Sequence, residues 1–540
     1  MNIIFILTSA MFFLLVLRST LFWVSLWQTK EYRLDRFLTH FRETSQGKKL
    51  IFSRFLILKL LTIFSYAFIV INSKYFVLYS FFVFIIFFLE LYSVRKEFLT
   101  LAFKRPVFTF KAKLITFLVL FLIFVFFFFP LVEYSLWMLV LDRFIFIFAA
   151  LFVFMLSFPS DFYKDIRIEK AIGIINKHKK VLVIGVTGSY GKSSVKDYIA
   201  QVLEKKFDVV KTIGTNNTLI GISDTVIKSI KNDTQIFVVE MGAYKKGEIS
   251  QICQVAKPKI GVITAVNSQH LSLFGNLQNT MDAKYELIDS LPKEGLAIFN
   301  GNNENAQKLY YKTIGQLNFQ KRKAVLCKSF LNRDNQEKTN IFAFNIKVKR
   351  LSLEFDVLIG RKIINLNVPL IGAHNIENIL PAIYIANYLG MTTEEIKSAV
   401  STLYPLPKTM SYKKIKNGPV ILDDTFNANP DAVLAAVNYM KMYKGKRILV
   451  LQPMIELGKN AKMEHIRVAR EISKVCDNLF LTNKNYKKEI LKGLEEAKGK
   501  CIVKIATARE ISEFIKSKTK DSDIAVFEGK EAALALTALS

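Results

Sequence analysis

Five apolar runs fill most of the first 157 residues, at about 3–25, 54–72, 75–92, 114–132 and 135–157. A bilayer core needs about 20 apolar residues per helix, and backbone polar groups inside lipid can only be satisfied within helices or closed barrels. Such a front predicts an α-helical membrane domain with about five transmembrane helices. The fourth run holds Phe126-Phe127-Phe128-Phe129 and is followed by Pro130. A cleaved signal peptide fits poorly, because no basic segment precedes the first run and further runs follow. The 47 phenylalanines and a 51% hydrophobic share exclude a disordered chain and a purely soluble one.

The chain carries 75 Lys and Arg against 45 Asp and Glu, a net charge of +30. Charge alone admits nucleic acid or an anionic membrane surface. The basic residues have a topological use, however. Lys30, Arg33, Arg36, Arg42, Lys48 and Lys49 fall in one loop, and Arg95, Lys96, Lys104, Arg105, Lys111 and Lys113 in another. The opposite connections hold only Lys74 and Glu133. Basic loops stay cytoplasmic, which puts the N-terminus outside and everything after about residue 160 inside, at the cell (inner) membrane. The expected partner is therefore the lipid bilayer, with no nucleic acid, since no binding motif appears. Arg18, Arg54 and Lys59 lie toward cytoplasmic ends and can snorkel. Asp142 and Arg143 fall inside the fifth run, as a structural pair or as part of a lipid-substrate groove. The four cysteines are scattered with no CxxC, which suits a reducing compartment and gives no zinc module.

After residue 160 the pattern changes to Gly-punctuated strands and charged helical stretches. The strand pattern 181–186 runs into Thr187-Gly188-Ser189-Tyr190-Gly191-Lys192-Ser193-Ser194 and then into a helical pattern reaching Lys205. Strand, glycine-rich turn and helix make up a phosphate cradle: glycines let backbone N–H groups approach, and the helix dipole favours the anion. Lys192 can reach the β- and γ-phosphates, and the Ser193 hydroxyl can ligate Mg²⁺. The strict P-loop spacing fails at Val186, so Gly188 serves in a shorter G-x-x-G-K-S loop. The next strand pattern, 235–240, ends in Glu240, where open α/β sheets bind ligands; Mg²⁺ coordination is its natural role. A third, 260–265, leads to Asn267 and His270, and His270 becomes a metal candidate in that company.

Together these residues resemble the Mur ligase family, ATP-dependent amide-forming enzymes of peptidoglycan precursor synthesis, most closely its D-alanyl-D-alanine-adding branch. The blocks run in order. After the P-loop come Thr215-Asn216-Asn217 with Gly221, Val239-Glu240-Met241-Gly242-Ala243 with Gly247-Glu248-Ile249, and His270-Leu271 through Phe274-Gly275 to Lys284 and Glu286. Then follow Gly372-Ala373-His374-Asn375-Ile376-Glu377-Asn378, Asp423-Asp424-Thr425-Phe426-Asn427-Ala428-Asn429-Pro430, and Met454 with Glu456-Leu457-Gly458. The apolar runs give a membrane domain at 1–158, followed by a connector at 159–179, and the resemblance implies a P-loop ATPase-like central domain at 180–405 and a Rossmann-like C-terminal domain at 406–540. Independently of it, candidate strands at 420–423, 447–451, 478–482, 502–505 and 524–527 alternate with helical stretches, which suggests such a sheet.

The family phosphorylates a carboxylate with ATP and lets an amine attack the acyl phosphate. By resemblance, Lys192 stabilises the transferring phosphoryl group, and Ser193 and Glu240 hold a first Mg²⁺, with His270 near a second. Lys284 matches a position that several members carbamylate; a structural salt bridge is the alternative. Asn216 and Asn217 fall to substrate, Asn375 to adenine, and Asp424 and Asn427 to the nucleotide from the C-terminal side. The implied partners are a muramyl-peptide-like carboxylate and a D-Ala-D-Ala-like amine. Departures cluster late. An Arg usual before the Met of Lys408-Thr409-Met410 is missing, so its γ-phosphate contact is lost or passes to Lys408. Gln452-Pro453 replaces Gly-Asp, Phe426 replaces Tyr, and Glu528-Gly529-Lys530 stands where Lys-Gly-Ser is usual. The front departs most: membrane helices occupy the place of the UDP-binding domain, so the acyl substrate is lipid-linked or the helices only tether the enzyme. A polyglutamate- or cyanophycin-type ligase, and an ATP-dependent transporter, remain as alternatives.

Overall fold

The computed structural model describes residues 2–34, 36–38, 54–69, 75–99, 103–214, 216–267, 271–316, 323–329, 339–416, 418–455 and 457–539. The chain divides into two compact units, Met1–Asp165 and Ile166–Ser540.

The first unit is built of helices, Asn2–Thr29, Arg54–Ile69, Phe76–Leu99, Phe110–Phe128 and Tyr134–Met155, the last followed by Ser157–Lys177. Local chemistry sets their ends. The Thr109 hydroxyl accepts the Ala112 N–H at the start of the fourth helix, which stops just before Pro130. The Glu133 carboxylate accepts the Ser135 and Leu136 N–H groups at the start of the fifth. Phe12, Val83, Ile115, Val119 and Ala149 are fully buried between helices, while Phe64, Phe68, Phe117 and Phe128 point outward. Apolar side chains inside and outside together are what lipid-facing helices show. By length and composition, four helical stretches suffice to cross a membrane: Ile3–Thr29, Phe76–Leu99, Phe110–Phe128 and Tyr134–Lys177. The apolar helix Phe55–Phe68 is shorter.

Charges inside this unit are paired. The Lys59 ammonium is fully buried, 2.5 Å from a Glu90 carboxylate oxygen and 2.8 Å from Asp142 Oδ2. Arg143 pairs with the same Asp142 oxygen. Arg18 makes two hydrogen bonds to Glu97, at 2.9 and 3.1 Å. The snorkelling expected of Lys59 is thus corrected: a carboxylate on a neighbouring helix costs less than dragging an ammonium to the interface. The side chain of Arg54 lies outside the described residues.

Two sheets organise the second unit. The first contains β1 (Leu182–Thr187), β2 (Val209–Lys211), β3 (Ile236–Glu240), β4 (Ile260–Ile263), β5 (Leu296–Asn300), β6 (Lys323–Ser329), β7 (Ile341–Val348), β8 (Leu353–Ile359) and β9 (Lys362–Val368). Their order is β2-β3-β1-β4-β5-β6-β7-β8-β9, parallel as far as β7 and antiparallel beyond. Strand β1 lies between β3 and β4, with Val186 in register with both Glu240 and Val262. The chain leaves β1 toward one edge and β3 toward the other, so the carboxyl ends of these three strands frame a topological switch point.

The second sheet contains β10 (Ser411–Lys414), β11 (Val420–Asp424), β12 (Arg447–Leu451), β13 (Asn478–Leu481), β14 (Ile502–Ile505) and β15 (Ile524–Glu528), ordered β10-β11-β15-β12-β13-β14. All pairs are parallel except β10–β11. Five of these strands coincide with the candidate strands; β10 is an antiparallel edge with polar, exposed residues and no apolar signature.

A stability prediction follows from the buried ion cluster. Lys59→Met leaves Asp142 and Glu90 without their shared counter-ion, which costs about 3–5 kcal/mol. The unfolding midpoint in detergent should drop well below that of the parent; an unchanged midpoint would contradict the structure.

Candidate active site

The turn after β1 is held open by what surrounds it. Gly188 has φ +152°, and a Cβ there would lie 2.0 Å from Thr264 Oγ1 and 2.9 Å from the Ala265 carbonyl. Gly191 has φ +79°, and a Cβ there would lie 2.7 Å from Asn378 Oδ1. Neither position tolerates a side chain. Between them, Ser189 N donates to Ala265 O at 2.6 Å, and Thr264 Oγ1 donates to Tyr190 O at 2.5 Å. Gly191 is the N-cap of helix Lys192–Leu203 and contributes no side-chain cap. The first N–H groups of that helix therefore await an anion. Ser193 and Ser194 are half-buried in the first turn. The Lys192 ammonium donates to Ser189 O at 3.0 Å, folded back over the turn. Burial holds its pKa below the usual lysine value, and the nearby Glu240 works in the opposite direction.

Glu240, at the end of β3, is 1% exposed. Its Oε1 accepts from Asn217 Nδ2 at 2.9 Å, and its N–H donates to Thr212 Oγ1 at 3.0 Å. Oε2 has no hydrogen-bond partner among the described residues; the Lys196 ammonium stands off at 3.6 Å. A buried carboxylate oxygen left open in this way fits a cation site. Asn217 is also packed against Gly242, whose N–H donates to Asn217 O at 2.8 Å, whereas Asn216 is exposed.

Among the described residues, the ammonium of Lys284, 3% exposed on helix Leu277–Asp289, has a 3.4 Å contact to Ala243 O and the Phe274 ring at 5.5 Å. Burial, then the Lys192 charge, brings its pKa down to about 7; Glu248 and Glu286 resist. No salt bridge of Lys284 is among the described contacts. The Glu286 carboxylate is used elsewhere: it accepts the Gly247 and Ser250 N–H groups at 2.6 and 3.0 Å, capping the N-terminus of helix Glu248–Ala256.

The block 372–378 braces the turn. Asn375 is 4% exposed, and its amide is committed: Oδ1 accepts from Tyr198 OH at 3.1 Å and Asn378 Nδ2 at 3.3 Å, and Nδ2 donates to Ile371 O at 2.8 Å. It joins helix His374–Tyr388 to the helix after the turn, with one of its two amide N–H donors used. Beside it, burial pushes the His374 pKa down to about 4.

Asn267, on the segment after β4, makes the link to the second sheet. Its N–H donates to Ser189 Oγ at 3.0 Å, and its side-chain amide donates to Asp431 at the start of helix Pro430–Met440. The sequence placed Asn267 near the site without giving it this bridging role; only packing of the two sheets reveals it. In the Asn-Ala-Asn-Pro block, Asn429 caps that helix through the Ala432 N–H at 2.9 Å with Pro430 at its first position, and Asn427 is half-buried on the preceding loop. Asp424 and Glu528 end the paired strands β11 and β15 side by side, both buried. Burial raises Asp424 to about 7 and Glu528 well above the usual carboxylate range. Asp424 Oδ1 also accepts the Met410 N–H at 3.2 Å, and Lys408 O accepts the Phe426 N–H at 3.0 Å, which fastens 408–410 to the second sheet. The Lys408 side chain is exposed, at φ +65°. Thr215, His270 and Glu456 lie outside the described residues. Among the described residues, no group of three or more His, Cys, Asp and Glu is placed to hold a metal.

A family model described as the Mur ligase middle domain matches residues 186–386, and one described as the Mur ligase, glutamate ligase domain matches 410–531. Together they take in more than half of the chain. The chain belongs to the Mur ligase family. As such it is an ATP-dependent ligase that forms a carbon–nitrogen bond. Among its relatives, the UDP-N-acetylmuramoyl-tripeptide–D-alanyl-D-alanine ligase of Escherichia coli (strain K12) is 28% identical over 315 residues, 58% of this chain and 67% of the relative. The enzyme of the same name from Bacillus subtilis (strain 168) is 32% identical over 281 residues, 51% of this chain and 57% of the relative. The matched part is thus little more than half the length of the second relative. Among solved structures, the MurF ligase of Thermotoga maritima in complex with ADP aligns with TM-score 0.61 at 22% identity, over 70% of this chain and 83% of that one. MurF of Acinetobacter baumannii aligns with TM-score 0.61 at 20% identity, over 70% and 80%. At these identities the structural likeness is one of fold. Neither family model reaches the helical unit of this Mur ligase.

Gly188→Ala tests the turn. The new methyl group collides with Thr264, so affinity for a non-hydrolysable ATP analogue should fall by roughly 100-fold, about 2.7 kcal/mol. Calorimetric titration checks it, and parental affinity would contradict the geometry.

Proposed function

We propose that this Mur ligase adds a D-Ala-D-Ala-like amine to a muramyl-peptide carboxylate at the cytoplasmic face of the cell (inner) membrane. The observation that carries this is the switch-point crevice, where the glycine turn, the open Oε2 of Glu240 and a lysine with a pKa of about 7 belong to adjoining segments. The printed names of the relatives supply the substrate class. The basic loops of the sequence supply the side of the membrane. The domains proposed are 1–158 in the membrane, a connector at 159–179, a nucleotide-binding domain at 180–405 and an amine-side domain at 406–540.

The chemistry follows from charge. A carboxylate is a poor electrophile; attack of its oxygen on the γ-phosphorus of ATP expels ADP and leaves an acyl phosphate. The amine then attacks the acyl carbon, loses a proton, and inorganic phosphate departs. Backbone N–H groups at the start of helix Lys192–Leu203 orient the polyphosphate, and the Lys192 ammonium follows the charge of the moving phosphoryl group. Mg²⁺ would be held by Glu240 Oε2 and the Ser193 hydroxyl, with His270 a third candidate, and would supply neutralisation of phosphate charge. Lys284 is the candidate for carbamylation: a neutral amine condenses with CO₂ and releases a proton, and a pKa lowered by burial to about 7 makes the neutral amine available near physiological pH. Asn267, joined to both Ser189 and Asp431, ties approach of the second sheet to the state of the turn and helps exclude water. The helical unit favours a lipid-linked acyl substrate, and the names of the relatives favour a UDP-linked one. Competition between the two in a ligation assay separates them.

Two outcomes test this function. Lys192→Ala should abolish amine-dependent phosphate release while membrane insertion and thermal stability persist; full activity would overturn the site. Enzyme stripped of CO₂ should regain activity on adding bicarbonate, with greater recovery as pH rises through about 7, because only the neutral Lys284 amine reacts. Lys284→Ala should show no bicarbonate response. Activity indifferent to CO₂ would reduce Lys284 to a structural residue.

A further inference from the structure

Lys196 lies one turn beyond Lys192 on the same helix and belongs to no phosphate-binding motif. A lysine this deeply buried, 1% exposed, is unusual unless every donor is used. Two donors are: Nζ donates to Thr212 O at 2.8 Å and to Gly214 O at 3.1 Å. The third side of the ammonium faces Glu240 Oε2 at 3.6 Å, near enough to compensate its charge and too far for a hydrogen bond. Thr212 closes the arrangement, since its hydroxyl accepts the Glu240 N–H at 3.0 Å. The same segment carries Asn217, which donates to Glu240 Oε1 at 2.9 Å. One side chain thus fastens three pieces: the helix that follows the phosphate turn, the segment 212–217, and the carboxylate at the end of β3.

We propose that Lys196 is a positioning residue that pre-sets Glu240 for a divalent cation. It pins the 212–217 segment so that Asn217 and Thr212 fix the carboxylate through one oxygen and the backbone, and the other oxygen is left open. Its charge makes burial of that carboxylate tolerable without occupying the open oxygen. This rests on the nucleotide-site reading above. Lys196 touches neither the nucleotide nor the reacting atoms; it acts through Glu240 and the segment.

The test uses the full chain in detergent, Mn²⁺ as a spectroscopic probe, and a non-hydrolysable ATP analogue. Electron paramagnetic resonance gives the Mn²⁺ affinity of the protein–nucleotide complex, and calorimetry gives the affinity for the nucleotide itself. Lys196→Met should weaken Mn²⁺ binding by about tenfold, with metal-free nucleotide affinity within about threefold of the parent. Lys196→Arg, which can donate to both carbonyls and still face the carboxylate, should restore Mn²⁺ affinity to within about threefold. Hydrogen exchange in 212–217 should quicken in the Met variant and recover in the Arg variant. Should the Met variant not fold, Lys196→Gln, which keeps a donor for Thr212 O but no charge, takes its place. Unchanged or tighter Mn²⁺ binding would overturn the proposal, the second by showing that Lys196 merely competes with the cation. A parent protein that binds neither nucleotide nor Mn²⁺ would instead sink the nucleotide site itself.

Discussion

The contact between the glycine turn and the end of β4 is the constraint on which the site depends. Thr264 fills the space beside Gly188, and the Ala265 carbonyl takes the Ser189 N–H, so the turn has one shape and no room for a side chain. Asn378 does the same at Gly191 from a distant part of the chain. What remains unused is the row of N–H groups opening helix Lys192–Leu203. Preorganised donors of this kind need no rearrangement when charge arrives, which is where most electrostatic catalysis originates. The parallel order β3-β1-β4 makes the arrangement possible, because only neighbouring strand ends deliver Glu240 and Thr264 to either side of the turn.

The two units treat buried charge in opposite ways. In the helical unit, Lys59, Glu90, Asp142 and Arg143 neutralise one another, and Arg18 is matched by Glu97. That cluster serves cohesion between helices. In the second unit the charges near the switch point are left incompletely paired. Among the described residues, Lys284 meets a carbonyl and a ring and Glu240 keeps one oxygen open; at the end of the second sheet Asp424 faces another carboxylate in Glu528. Incomplete pairing in a dry site shifts pKa values and marks places where a ligand or a proton completes the charge balance. In the Asp424–Glu528 pair, where the Mur resemblance expects Lys in place of Glu528, two buried acids stand side by side; burial lifts both pKa values, and Asp424 raises that of Glu528 further.

Features carried by local pattern were legible in the sequence. The five apolar runs became helices, the strand–turn–helix at 182–203 took the expected form, and the alternating pattern after 420 gave five strands near the expected bounds. Features that depend on distant partners were not. Lys59 read as a snorkelling residue because Glu90, on another helix, has no local relation to it. Lys196 looked like an ordinary polar helix position until β2 and β3 brought the 212–217 segment over it. Asn375 matched a motif, but its bonds to Tyr198, Asn378 and Ile371 are contacts that no spacing rule encodes. Strand β10 escaped because a polar edge strand takes its register from a neighbour rather than from apolar alternation.

The account comes down to whether phosphate leaves ATP by way of a substrate carboxyl group. A muramyl-peptide acceptor labelled with ¹⁸O in its reacting carboxylate decides this, with the released phosphate analysed by mass spectrometry after a single turnover with amine. Phosphate carrying one ¹⁸O atom is the predicted result, since the bond broken last is between the acyl carbon and the oxygen that joined it to phosphorus. Phosphate free of label, released at the same rate, would mean that water takes the phosphoryl group and that the chain is not a ligase.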